Sequence, residues 1–196
     1  METGNSTHAT LMILGGGLLI GLAIGAIVFI GLPSIPAANN VGGGPTAVVG
    51  GGTPAPAPIV GSPAPDFTLN NVNGQLITLS QLKGQPVLIN FWATWCAPCR
   101  VEMPAIEAAY QQYKAEGFTV LAVDADEALA DVTEFTKGLN LSFEVLMDPG
   151  LEVTDLYRVR AFPSSFFIGR DGTIVAFQIG AMSDTQLAGN IAKTLK

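Results

Sequence analysis

"VLINFWATWCAPCRVEMP", residues 87–104, decides how the rest of this chain is read. Val87–Trp92 is an apolar run interrupted only by Asn90, the pattern of a central strand buried on both faces. From Ala97 to Gly117 the pattern changes to that of a helix closed by a glycine. Between strand and helix stand Cys96 and Cys99, the only cysteines among 196 residues.

The pair has four chemical readings. A structural zinc site needs four ligands, and the single histidine, His8, lies far from the cysteines. Covalent haem attachment needs a histidine directly after the second cysteine, and residue 100 is Arg. A purely structural disulfide would close a very small loop and constrain little. Thiol–disulfide exchange remains, and the local pattern supplies its physics. At the start of a helix, the Cys96 sulfur meets unpaired N–H groups and the positive end of the helix dipole, which favour the attacking thiolate. Arg100 adds a positive charge nearby, and Pro98 is tolerated because the first helical turn has no N–H bond to lose. Cys99, deeper along the helix, is placed to resolve a mixed disulfide formed at Cys96.

On both sides of the motif the sequence alternates between strand and helix patterns. "FTLNNVNGQLITLS" reads as a hairpin with Asn73-Gly74 as its turn signal, and Ser80 is placed to cap a short helical turn. "FTVLAVDA" and "SFEVLMD" read as strands, and Leu129, Val132, Phe135 and Leu139 mark an amphipathic helix between them. "GLEVTDLY" suggests a short helix. "SSFFIG" and "TIVAFQIG" flank Arg170-Asp171-Gly172 as a second hairpin, and Ser183 can cap a last helix. The fold class is α/β with a closing antiparallel hairpin.

The amino-terminal third differs in kind. From Thr3 to Pro65 there is no Asp, Glu, Lys or Arg, although the whole chain carries a net charge of −7. Residues 1–10 form a short tail. Leu11–Leu32 is an uncharged apolar stretch that as a helix spans about 33 Å, enough for a hydrocarbon core of about 30 Å. It is expected to anchor the chain in the lipid bilayer. A cleaved signal peptide would need a basic leader and a shorter apolar stretch, although Ala37 and Ala38 are small enough for a cleavage site. No Lys or Arg flanks the stretch closely, so charge does not orient it. Gly17, Gly21 and Gly25 recur every fourth residue, a spacing common among membrane helices. Residues 33–65 are rich in Pro, Gly and Ala and read as a disordered tether, leaving 66–196 as the folded domain. From Asp66 onward nine basic residues face fifteen acidic ones without a basic stripe, which argues against nucleic acid as a partner.

"FWATWCAPC" resembles the active site of the thioredoxin superfamily. From Gly61 to Lys196 the chain is similar to membrane-anchored thiol–disulfide reductases of the TlpA/ResA/CcmG type. "GSPAPDFTLNNVNGQLITLSQLKGQPVLINFWATWC" follows that family's amino-terminal hairpin and first core strand, and "YRVRAFPSSFFIGRDGTIV" its later run. The resemblance implies a thioredoxin-like fold with that hairpin and a helix–strand insertion at about Glu127–Met147. It places Pro163 at the family's cis-proline, beside the cysteines, where the Phe162 backbone pairs with a bound substrate segment. It gives Glu102, one turn beyond Cys99, a part in proton transfer near the thiols. It makes Pro104 the proline that kinks the helix. Trp95 is placed to pack against an incoming peptide, and Trp92 to fill the core. Asn90 stands where simple thioredoxins carry a buried aspartate, so any proton relay falls to Glu102.

The implied activity is reduction of specific protein disulfides on the extracytoplasmic side of a cell membrane. Apocytochrome c is the best-known substrate class, and a membrane redox protein supplies the electrons. Neither a cofactor nor a metal is called for. The alternatives are a disulfide-forming oxidase or isomerase on the same fold, a peroxiredoxin-like peroxidase, and a non-catalytic binding module. Peroxiredoxins carry a Pro and a Thr or Ser at positions held here by Ile89 and Ala93.

Overall fold

The computed structural model describes residues 54–196; the expected membrane anchor at 11–32 lies outside them. The first hairpin forms from β1 (Thr68–Asn71) and β2 (Leu76–Thr78). Its turn is closed by the Gly74 N–H donating to the Asn71 carbonyl at 2.9 Å, with Gly74 at φ +78. The Asn71 side chain accepts from the Asn73 and Gln75 amides, so the turn centres on Val72-Asn73 and the glycine follows it. Ser80 is not a cap. It lies inside a short 3-10 turn, Leu79–Leu82, whose first residue follows Thr78, and the Ser80 amide donates to the Asp66 side chain.

β3 (Val87–Trp92) is buried along its whole length. Leu88 and Trp92 enter one core, whereas Val87, Ile89 and Phe91 enter the other. The period of two on both faces is why a nearly unbroken apolar run is required there. α1 (Ala97–Tyr113) follows, with Cys99, Glu102, Met103 and Ile106 as its buried stripe. It ends in a 3-10 turn and at Gly117, φ +87. Then come β4 (Thr119–Asp124), α2 (Leu129–Gly138), β5 (Glu144–Met147) and α3 (Glu152–Leu156). β6 (Ser164–Ile168), β7 (Ile174–Ile179) and α4 (Asp184–Thr194) complete the fold. Ser183 caps α4 in a reciprocal capping box with Gln186.

The sheet runs β2-β1-β5-β4-β3-β6-β7. β3, β4 and β5 are parallel; the two flanking hairpins pair antiparallel onto them. α1, α2 and α4 supply one core, and α3 with the 3-10 turn supplies the other. This is the thioredoxin-like α/β arrangement, with the helix–strand insertion as α2 and β5.

Hydrogen bonding to the domain begins earlier than the expected boundary at Asp66. The Gly61 amide donates to the Ile174 carbonyl, the Ile174 amide to Ser62, and the Ala64 amide to Gly172. These bonds cover the start of the β7 edge, which would otherwise present unpaired backbone groups. The Tyr157 hydroxyl donates to the Pro65 carbonyl at 2.7 Å from within the core.

Candidate active site

The site is built at the carboxyl end of β3, where the chain turns through Ala93–Trp95 into α1. The Cys96 amide donates to the Ala93 carbonyl at 3.2 Å, closing that turn. Cys96 is then the N-cap of α1, and its Sγ accepts the Cys99 amide at 3.2 Å. The helix start therefore contributes a real donor to the sulfur, as the strand–helix pattern required. The two cysteines are joined in a disulfide, S–S 2.03 Å. Cys96 retains 5% of its surface and Cys99 1%, so an incoming group meets Cys96 first.

Arg100 is held by two contacts. Its guanidinium donates to the Thr94 carbonyl at 3.3 Å and lies over the Phe135 ring, 5.2 Å from the centroid. It is thus engaged with the Thr94 backbone and α2. Asn90 is fully buried, and its amide donates to the Ser165 hydroxyl directly opposite on β6 at 2.9 Å.

Facing the disulfide is the loop before β6. The Phe162–Pro163 bond is cis. Trp95 is two-thirds exposed, with its ring edge-on to Phe162, centroids 5.9 Å apart. Trp95, Cys96, Ala97, Pro98, Arg160 and Phe162 line one open groove. The Phe162 N–H and carbonyl hydrogen-bond to no other described residue, which leaves them free for a segment lying in that groove. Trp92 is wholly buried, against Phe135. Pro104 lies inside α1 and is exposed.

Glu102 is buried, 3% exposed, and neither carboxylate oxygen has a hydrogen-bond partner. The Met182 amide lies close enough to favour the charged form slightly but does not reach hydrogen-bond geometry. Burial dominates and pushes the carboxyl up to about 7.

An acidic pair beside the site was not legible in the sequence. Asp124, at the end of β4, is fully buried beside Trp92 in the sheet register. Burial, together with the neighbouring Glu127, raises its carboxyl well above the usual range. The Asp124 carboxylate accepts the Glu127 amide at 3.0 Å. The Glu127 carboxylate in turn accepts both the amide and the hydroxyl of Thr94, two residues before Cys96. This clamp holds the loop that delivers the nucleophile. An acidic residue ending a buried strand was its only signal, and strand order cannot be read from that.

With this geometry in place, the similarities to known proteins acquire meaning. The AhpC/TSA family matches residues 60–177. The thiol-disulfide oxidoreductase ResA of Bacillus cereus is 40% identical over 134 residues, 68% of this chain and 78% of its own. ResA of Bacillus subtilis is 38% identical over 127 residues, 65% of this chain and 71% of its own. A solved thiol:disulfide interchange protein of the thioredoxin family from Chlorobium tepidum superposes with a TM-score of 0.62 at 26% identity. That match covers 72% of this chain and 98% of the other.

Proposed function

We propose a direction of electron flow and a cellular setting for this chain, which belongs to the AhpC/TSA family and is a ResA-like thiol–disulfide oxidoreductase. The chain reduces specific protein disulfides. The Cys96 thiolate attacks a substrate disulfide and forms a mixed disulfide. Cys99 then attacks Cys96, releases the reduced product and leaves the Cys96–Cys99 disulfide seen in the structure. The observation that carries this reading is that disulfide itself, capping α1 and opening onto the groove before β6. In that groove the free Phe162 backbone pairs with an extended substrate segment, Pro163 fixes the end of the groove, and Trp95 packs on the segment. Glu102, neutral up to about pH 7, returns a proton to the departing thiolate.

A strong oxidant is one whose reduced form is heavily stabilised; here the Cys96 sulfur accepts one backbone amide. By the resemblance to its family the chain serves apocytochrome c thiols and is recharged by a membrane redox protein. Residues 11–32 anchor it, and residues 33 to about 56 hold the domain off the extracytoplasmic face.

Equilibration with glutathione tests the direction. A potential below about −200 mV is expected, whereas a value near −120 mV would make the protein an oxidase. The setting is tested by an impermeant thiol reagent on intact, reduced cells. Labelling of Cys96 before lysis is expected; labelling only after lysis places the domain inside.

A further inference from the structure

The groove beside Cys96 is apolar except at one point. Among the described residues lining it, Arg160 alone carries a charge. Its guanidinium is held only lightly, donating at 3.2 Å to Asp155 and at 3.1 Å to the Val159 carbonyl. Both members of the Arg160–Asp155 pair are more than 70% exposed on their side chains. Exposed pairs of this kind contribute little, so a competing carboxylate can displace Asp155 at little cost. A guanidinium presents a planar fork matched to a carboxylate, which distinguishes it from a diffuse positive charge.

We infer that Arg160 is a specificity-determining residue, which selects oxidised substrate segments carrying an acidic side chain close to the cysteine under attack. The inference rests on the oxidoreductase reading above and names the class of segment that the same groove prefers. Its geometry follows from the groove: the chain bends at residues 161–163 before β6, and Arg160 and Phe162 line the groove together, so a segment paired with the Phe162 backbone passes close to Arg160. Cys96 and Arg160 line the same groove, so the reacting sulfur and the carboxylate lie within a few residues of each other in the substrate. Elsewhere the domain is acidic and would repel such a segment, which makes the local guanidinium the element that admits it.

The test uses the full chain in detergent micelles, reduced and freed of reductant. Its substrates are short peptides with one internal disulfide and a single Glu, or Gln, two or three residues to either side. In each turnover the two thiols lose two electrons and two protons to the peptide, whose disulfide becomes a dithiol while Cys96–Cys99 closes. The Glu peptide is expected to react about threefold faster than its Gln analogue on one of the two sides at low salt. That ratio should fall toward one at high salt. Arg160→Gln should abolish the ratio. Asp155→Asn should widen it by freeing the guanidinium. Equal rates for Glu and Gln peptides on both sides, or a ratio untouched by Arg160→Gln, overturn the inference and leave the oxidoreductase reading intact. Reduction of none of the peptides overturns both.

Discussion

Cys99→Ser accumulates covalent adducts with substrate proteins, whereas Cys96→Ser accumulates none and loses turnover by on the order of a thousandfold or more. The asymmetry follows from the geometry. Cys96 caps the helix, accepts the Cys99 amide and is the more exposed sulfur. Cys99 lies in the buried stripe of α1 with Met103 and Ile106, where a substrate disulfide cannot reach it but Cys96 can. With Ser at position 99 the first exchange proceeds and the second has no thiolate, so the mixed disulfide persists. The adducts should appear on a non-reducing gel and vanish with reductant, and their partners can be identified by mass. Trapping by Cys96→Ser in place of Cys99→Ser would reverse the assigned roles. Binding of partners without any adduct from either variant would favour a docking module.

Glu102→Gln makes the folded protein more stable in mild alkali by up to about 3 kcal/mol and changes little at pH 4. In an unfolded chain this carboxyl ionises near 4.5, whereas in the fold it holds its proton to about 7. Below pH 4.5 both states are neutral and the group costs nothing. Between 4.5 and 7 the unfolded chain releases a proton that the folded chain keeps, so stability falls as pH rises. Above 7 the penalty levels off, because both states are then ionised and the buried charge remains unpaired. Glutamine removes the ionisation while keeping the shape. Urea midpoints at pH 4 and pH 8.5 measure the difference, and an equal shift at both values would mean that the Glu102 carboxyl ionises in the fold as it does in the unfolded chain. Asp124 is displaced in the same direction and should leave a residual slope in the variant. A carboxylate retained at such a cost suits a proton-transfer role, in which case the more stable variant exchanges disulfides more slowly.

Much of the domain was legible because its signals are local. The apolar run at Val87–Trp92, the helix start at Cys96, the glycine stop at Gly117 and the capping box at Ser183 each depend on residues a few positions apart. Local chemistry also misled in one place. Ser80 has the composition of a cap but lies inside its turn, because Asp66, fourteen residues earlier, takes its amide.

The sequence by itself determined the order of strands and helices, the reactive pair and its helix-capped sulfur, because backbone hydrogen bonding within one turn or one strand is set by neighbouring residues. It alone also carries the expectation of an anchor at residues 11–32. Only the tertiary structure decided what surrounds the sulfurs. It brought Phe162 and Arg160 to the groove, sank Glu102 out of water, and clamped Thr94 with Glu127. Those relations depend on which strands lie side by side and in what register. Register is settled by packing the two apolar faces of β3 at once, a condition on the whole chain that no short stretch of it records.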